Sequence, residues 1–138
     1  MARIVLVEDD KAIATLIEIN LRKRGHTEVK TYSSLEEARQ RLENYDSDPF
    51  DLAIVDMVLR KADGTLDPEA GIVFCGLLHG DERAQHIPII TTSAYADPEQ
   101  VQKLLQFSSH HFSKPLNIRD LLDAVAELLP LTTGGEAE

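Results

Sequence analysis

The chain has little with which to brace itself covalently or to cross a membrane. It contains no tryptophan, a single cysteine (Cys75), three tyrosines and four phenylalanines among 138 residues. One cysteine cannot close an intrachain disulfide, so the fold must rest on burial, and a lone thiol fits a reducing compartment. No apolar stretch approaches the roughly 18 residues that a membrane-spanning helix needs. The opening Met1-Ala2-Arg3-Ile4-Val5-Leu6-Val7 meets acid at Glu8 before a signal-peptide core could form, so a cytoplasmic location without membrane insertion is expected. Positive charge is also scarce: 14 Lys and Arg stand against 24 Asp and Glu, for a net charge of −10. Such a surface argues against nucleic acid or anionic lipid as a direct partner.

What is present is enough for one well-buried core: 43% of the residues are hydrophobic, and the length suits one domain. Arg3 to Val7 reads as a buried strand. A helix from about Lys11 follows, with Ile13, Leu16, Ile17 and Leu21 as its apolar stripe and Gly25 as its stop. Glu28 to Tyr32 is a short strand. Ser34-Leu35-Glu36-Glu37 has the form of a capping box that opens a helix with Leu35, Ala38 and Leu42 inward. The run Leu52-Ala53-Ile54-Val55-Asp56 reads as a strand buried on both faces.

Residues 60–70 read as a loop, rich in turn formers, with a helix from Gly71 to Leu78 after it. Pro88 to Thr92 is a fourth strand ending in Ser93-Ala94. Asp97-Pro98 starts a helix with an Asp cap and Pro at its first position. His110 to Ser113 is a fifth strand before Lys114-Pro115, and Asn117 caps a last helix with Leu121, Leu122, Val125 and Leu128 inward. The tail from Pro130 is Gly-rich and acidic and is expected to be disordered. No repeat, linker or second domain is visible. Strands alternating with helices predict an α/β fold, a parallel sheet with helices on both faces.

In such sheets the functional crevice lies at the C-terminal strand ends. A carboxylate inside a buried strand would be costly, so Asp56 belongs at that edge. Three other strand ends bring Glu8-Asp9-Asp10, Ser93-Ala94 and Lys114-Pro115 to it. Each piece alone has an ordinary explanation: a helix-start charge cluster, a cap, a turn. Together they form a chemical set. Converging carboxylates repel one another unless a cation sits among them, and oxygen-only ligands favour Mg²⁺. Lys114 is a compact charge suited to a carboxylate or phosphoryl oxygen, and Ser93 supplies a short hydroxyl donor. The set can accept a phosphoryl group on Asp56 by in-line attack.

These residues, in this order, resemble the receiver domain of bacterial two-component response regulators, over Arg3 to about Leu129. The resemblance implies a flavodoxin-like (βα)5 doubly wound five-stranded sheet of order 2-1-3-4-5, with residues 1–129 as the receiver and 130–138 as a tail. It implies that Asp56 accepts phosphoryl from a sensor histidine kinase or histidine phosphotransfer protein. Asp9 then matches the direct Mg²⁺ ligand, Glu8 its partner through water, and the Val58 backbone carbonyl a further ligand. Ser93 matches the switch hydroxyl and Lys114 the phosphate-pairing lysine, with a Lys114-Pro115 bond that is often cis in this family. Asp10 has no fixed family role and reads as a helix-start charge. The output is expected to be a downstream protein partner, with dimerisation open, and catalysis is limited to the chain's own phosphorylation and slow dephosphorylation.

Three departures from the family pattern stand out. His111 occupies the place of the usual Tyr or Phe switch residue, and Phe107-Ser108-Ser109-His110 replaces the usual small turn. A titratable ring there could respond to pH, although a tolerated substitution is the favoured reading. Arg60 stands where receivers usually carry Pro. Gly71 best fits the glycine that opens the third helix, which implies an insertion of about seven residues. Val58 and Tyr95 flank the route to Asp56 and offer no amide to orient water, so self-dephosphorylation is expected to be slow. His79, His86, His110 and His111 lack the spacing of a compact metal site. Two alternatives remain. One is a receiver-fold binding module that works without phosphorylation. The other is an Asp-nucleophile phosphatase or mutase, against which Asp56-Met57-Val58 lacks a second Asp as general acid.

Overall fold

The computed structural model describes residues 2–94 and 97–129. In chain order these form β1 (Arg3–Val7), α1 (Lys11–Lys23), β2 (Glu28–Tyr32), α2 (Leu35–Glu43), β3 (Leu52–Asp56), β4 (Leu59–Arg60) and β5 (Leu66–Asp67). They continue through α3 (Ala70–His79), β6 (Ile89–Ser93), α4 (Pro98–Leu105), β7 (His110–Ser113) and α5 (Ile118–Leu128). The main sheet has the order β2-β1-β3-β6-β7, and every neighbouring pair is parallel. With the short pair β4 and β5 set aside, this is the expected 2-1-3-4-5 order.

The apolar strands explain why helices cover both faces. Successive side chains of a strand point to opposite sides. Val5, Val7, Ala53, Val55 and Ile89 join a core completed by α2, α3 and α4, with Phe74, Leu78 and Leu104 fully buried. Ile4, Leu6, Leu52, Ile54 and Ile90 point the other way, onto Ile17 and Leu21 of α1 and Leu121 and Val125 of α5. Strands apolar on both faces can be satisfied only this way.

The helix starts follow the sequence signals. Asp10 accepts from the amides of Ala12 and Ile13, Ser34 from Glu37, Asp97 from Glu99 and Asn117 from Asp120. The return contact of the α2 box is displaced by one residue: Glu37 Oε1 accepts from the Ser33 amide, 3.0 Å away. Gly25, with φ of 99°, turns the chain out of α1. The α1 stripe needs a correction. Ala14, Ile17 and Leu21 are buried and Ile13 partly so, whereas Leu16 is 48% exposed. Leu16 lies one position, or about 100°, from the Ala14-Ile17-Leu21 row that meets the sheet.

The stretch read as a loop also differs. Its ends pair as an antiparallel hairpin, with Leu59 opposite Asp67 and Arg60 opposite Leu66. Gly64, with φ of 89°, makes the turn, and the Lys61 amide donates to the Thr65 carbonyl across it at 2.8 Å. Two-residue strands are too short to show periodicity in sequence.

α3 begins hard against the end of β3. The Gly71 amide donates to the Met57 carbonyl at 2.9 Å. A Cβ at Gly71 would lie 2.3 Å from the Asp56 carbonyl oxygen and 2.7 Å from Met57 Cα. Both obstacles are backbone, so relief requires moving the helix or the strand end. Gly71 is therefore the glycine that this junction requires. Gly76, inside the same helix, faces open space. Gly71→Ala is expected to destabilise the fold by about 3 kcal/mol, whereas Gly76→Ala should stabilise it by about 0.5–1 kcal/mol. Urea denaturation of the two variants beside wild type checks both signs.

Candidate functional site

The strand ends carry their functional groups to one edge. Glu8 and Asp9 follow β1, Asp56 closes β3, Ser93 closes β6, and Lys114 follows β7. Because β3 lies between β1 and β6, Asp56 is flanked by the acidic pair on one side and by the hydroxyl residues of β6 on the other. Lys114 comes from the edge strand and must reach past β6. Its backbone is pinned there by donation from its amide to the Ser93 carbonyl at 2.8 Å, and the Lys114-Pro115 bond is cis. The four-carbon side chain spans the rest. Lys114 Nζ lies 2.9 Å from Asp56 Oδ2 and 2.9 Å from Glu8 Oε1.

Asp56 and Glu8 are 5% and 2% exposed, so both carboxylates are withdrawn from water in a region of strong fields. Burial pushes Glu8 up to about 7, and the nearby Asp56 charge adds to the rise, while hydrogen bonds from Lys114 and the Asp10 amide oppose it. Burial likewise raises Asp56 against the pull of Lys114. Burial alone would lower Lys114, but its hydrogen bond to Glu8 and the charge of Asp56 outweigh that and hold its ammonium above the usual range. One ammonium thus serves two buried acids, and a second positive charge would relieve both.

The place for that charge is defined. Glu8, Asp9 and Asp56 each can offer a carboxylate oxygen within 4.8 Å of the others. An all-oxygen donor set of this kind suits a hard divalent cation. Val58, whose carbonyl the sequence reading adds to this set, follows Asp56 by two residues and is half-buried against the α2–α4 core. Ser93 is buried at the end of β6. Tyr95 lies outside the described residues, as does the tail from Pro130. Cys75 is buried in α3, and its thiol is pushed up to about 12 by that burial, so it is an inert core residue.

His111 is held by hydrogen bonds. Its Nδ1 lies 2.7 Å from Thr91 Oγ1, which lies 2.6 Å from Ser108 Oγ, and Ser108 donates to the Leu104 carbonyl at 2.8 Å. Ser108 of the turn at 107–110 and the His111 ring are therefore parts of one polar chain that ties β7 and β6 to the end of α4. Burial lowers the His111 pKa. His110 pairs instead with Glu127 of α5 at 2.8 Å, and His79 stacks edge-on against Phe107, so these histidines do not converge.

Two contacts lay beyond sequence reasoning. Thr92 is paired in register with Asp56, and its hydroxyl stands 3.4 Å from Asp56 Oδ1. Arg60 donates its amide to Asp9 Oδ2 at 3.0 Å and brings its guanidinium Nε within 3.9 Å of the same oxygen. The register of β3 against β6 could have suggested Thr92; nothing in the sequence connects Arg60 to Asp9.

Residues 4–126 match the family model of the response regulator receiver domain. The chain belongs to that family. It is 26% identical over 133 residues to the DNA-binding dual master transcriptional regulator RpaA of Synechocystis, covering 96% of this chain and 51% of that protein. It therefore spans about half the length of this curated relative. Among solved structures it resembles a CheY-like receiver domain protein from Methanospirillum hungatei, at 27% identity and a TM-score of 0.73, with 92% of each chain covered. The phosphorylated cyanobacterial phytochrome response regulator RcpA shares its fold at a TM-score of 0.76 and 23% identity, with 94% of each chain covered.

The raised Glu8 has a consequence for stability in the absence of metal. Folded Glu8 holds its proton more tightly than the unfolded chain does, with about 7 against 4.5. Its contribution to stability is full below pH 4.5 and is lost as the pH rises through about 7. Glu8→Gln is expected to match wild type near pH 4 and to exceed it by about 2 kcal/mol at pH 8 in chelator-treated protein. Added Mg²⁺ should recover stability at pH 8 in wild type and much less in the variant. Urea denaturation across pH checks the sign.

Proposed function

We propose that this receiver is a phosphorylation-controlled switch in which Asp56 accepts a phosphoryl group from a phosphohistidine. The observation that carries the proposal is a buried acceptor contacted at 2.9 Å by the Lys114 ammonium, with Glu8 and Asp9 beside it. In the transfer, an Asp56 carboxylate oxygen attacks phosphorus, the bond from phosphorus to the histidine nitrogen breaks, and its electron pair returns to the imidazole. Lys114 is placed to exchange its contact with Asp56 Oδ2 for one with a phosphoryl oxygen, keeping the site's charge compensated. Glu8 and Asp9, with Asp56 and the Val58 carbonyl, would hold Mg²⁺, which neutralises the equatorial oxygens of the transferred group when bound. Ser93, one strand from Asp56, is the hydroxyl that would turn toward the new charge and draw its loop inward. His111 is the residue on β7 through which that movement would reach α4.

The donor is a sensor histidine kinase or a histidine phosphotransfer protein, and the output is a changed protein-binding surface. Dimerisation on that surface is compatible with this reading. The DNA-binding role belongs to RpaA as a whole, and this acidic chain matches about half of it. A binding module independent of phosphorylation would have no need of Lys114 held between two buried acids. A phosphatase would need a general acid where Val58 stands. Half-buried Val58 offers no group to orient water, in keeping with slow self-dephosphorylation.

A small phosphodonor with Mg²⁺ should add one phosphoryl group to the wild type and none to Asp56→Asn, as read by intact mass. Lys114→Ala should lower the yield at least tenfold. Failure of the wild type to label, with Mg²⁺ bound and the fold intact, would overturn the proposal. In the labelled protein the aspartyl phosphate should decay over many minutes, and a half-life of seconds would contradict the assignment of Val58.

A further inference from the structure

We infer that Arg60 latches the hairpin β4–β5 onto Asp9, and that a divalent cation in the acidic site releases this latch and frees the hairpin. The inference rests on the metal reading of Glu8, Asp9 and Asp56 given above.

Arg60 makes three contacts that converge on this role. Its amide donates to Asp9 Oδ2 at 3.0 Å, its Nε approaches the same oxygen at 3.9 Å, and its Nη1 donates to the Gly64 carbonyl at 2.9 Å. The guanidinium therefore bridges an acid of the site and the turn of the hairpin. The amide is available because the β4–β5 ladder does not use it. A proline at this position would provide neither the amide nor the cation. The Asp9 carboxylate is thus shared between the hairpin and the acidic site.

The competition is electrostatic. Asp9 is one of the three carboxylates a cation would seek, and a divalent ion held there would stand close to the guanidinium that approaches Asp9 Oδ2 and repel it. The Arg60 side chain is 62% exposed, and besides Asp9 it contacts the Gly64 carbonyl of its own hairpin. When the guanidinium leaves Asp9, the strain falls on its Gly64 contact and hence on the turn.

The hairpin is built to respond. Apart from the Arg60 contacts with Asp9, its buried anchor is Leu59, while Leu66 across from Arg60 is 56% exposed. The ladder is two residues long, and one side of the hairpin faces a cavity of about 570 Å³ toward Leu35 and Glu36 at the start of α2. Few buried contacts and an open flank mark a segment of low local stability. Its neighbours at the turn are Lys61, which is near the cavity, and Asp63, whose carboxylate is engaged by Thr65. Asp63 is therefore occupied, and Arg60 carries the contact to the site.

The test uses the full chain, with Mg²⁺ binding followed by calorimetry and the hairpin by amide NMR. In wild type, saturation with Mg²⁺ should shift the Gly64 and Thr65 amides and speed their hydrogen exchange. In Arg60→Gln these amides should stand near the Mg²⁺-bound positions before any addition. This variant should bind Mg²⁺ about three- to fivefold more tightly at low ionic strength, an advantage that shrinks in high salt. Calorimetric binding in wild type with Gly64 and Thr65 unmoved would overturn the latch while leaving the metal reading intact. Equal affinity in the two proteins would do the same. No heat of binding in either would overturn the metal reading and the latch together.

Discussion

The ammonium of Lys114 between Asp56 and Glu8 is the contact on which the site depends. Two carboxylates on adjacent strand ends, both almost wholly withdrawn from water, would otherwise push the strands apart or remain protonated. A buried charge without its partner is among the costlier defects in a fold. The rest of the arrangement can be read as support for one side chain. The Ser93 carbonyl fixes the Lys114 backbone, the Asp10 amide steadies Glu8, and the order of the sheet sets the distance to be crossed. The balance of charge is incomplete: one buried ammonium serves Glu8 and Asp56, and the exposed Arg60 guanidinium reaches Asp9 only at 3.9 Å. That shortfall makes the edge receptive to a cation and to the phosphoryl chemistry of its family.

Much of this was legible in the sequence because the residues concerned terminate apolar runs. Glu8, Asp9, Asp56 and Ser93 interrupt or end strands whose burial forbids a polar residue further in, so their position at the edge follows from solvation alone. Lys114-Pro115 was legible for a similar reason, as a break between strand and helix. Caps at Ser34, Asp97 and Asn117 read correctly, since a short polar side chain before an apolar-periodic run has few other uses, whereas Asp10, read as a helix-start charge, proves to be the cap of α1. Contacts set by register or by a nonlocal turn were not legible. Thr92 faces Asp56 only once β6 is aligned on β3, and Arg60 meets Asp9 across 51 residues of chain. Leu16 shows the limit of hydrophobicity as a guide. An apolar residue one step off the helix row stays outside, and the small Ala14 takes the buried place.

The junction of β3 with α3 joins stability to the site. Gly71 lets the helix approach until its backbone touches that of Asp56 and Met57. The carboxylate is thus held on a strand end clamped from behind by a helix. The hairpin β4–β5 precedes this clamp, and a longer loop at such a place costs little, because closure entropy grows only slowly with length.

The polar chain at His111 has a direction that can be worked out. Ser108 spends its single hydroxyl proton on the Leu104 carbonyl, so between Ser108 and Thr91 it is Thr91 that donates. Thr91 then has no proton left for the ring, and His111 must present N–H at Nδ1. The imidazole is locked in one tautomer, and any further proton can enter only at Nε2. Titration at this position therefore changes the charge of the ring and leaves every bond of the chain in place. A phenyl or phenol ring could turn out of its pocket at the cost of packing alone, whereas this ring must also leave a hydrogen-bonded partner behind.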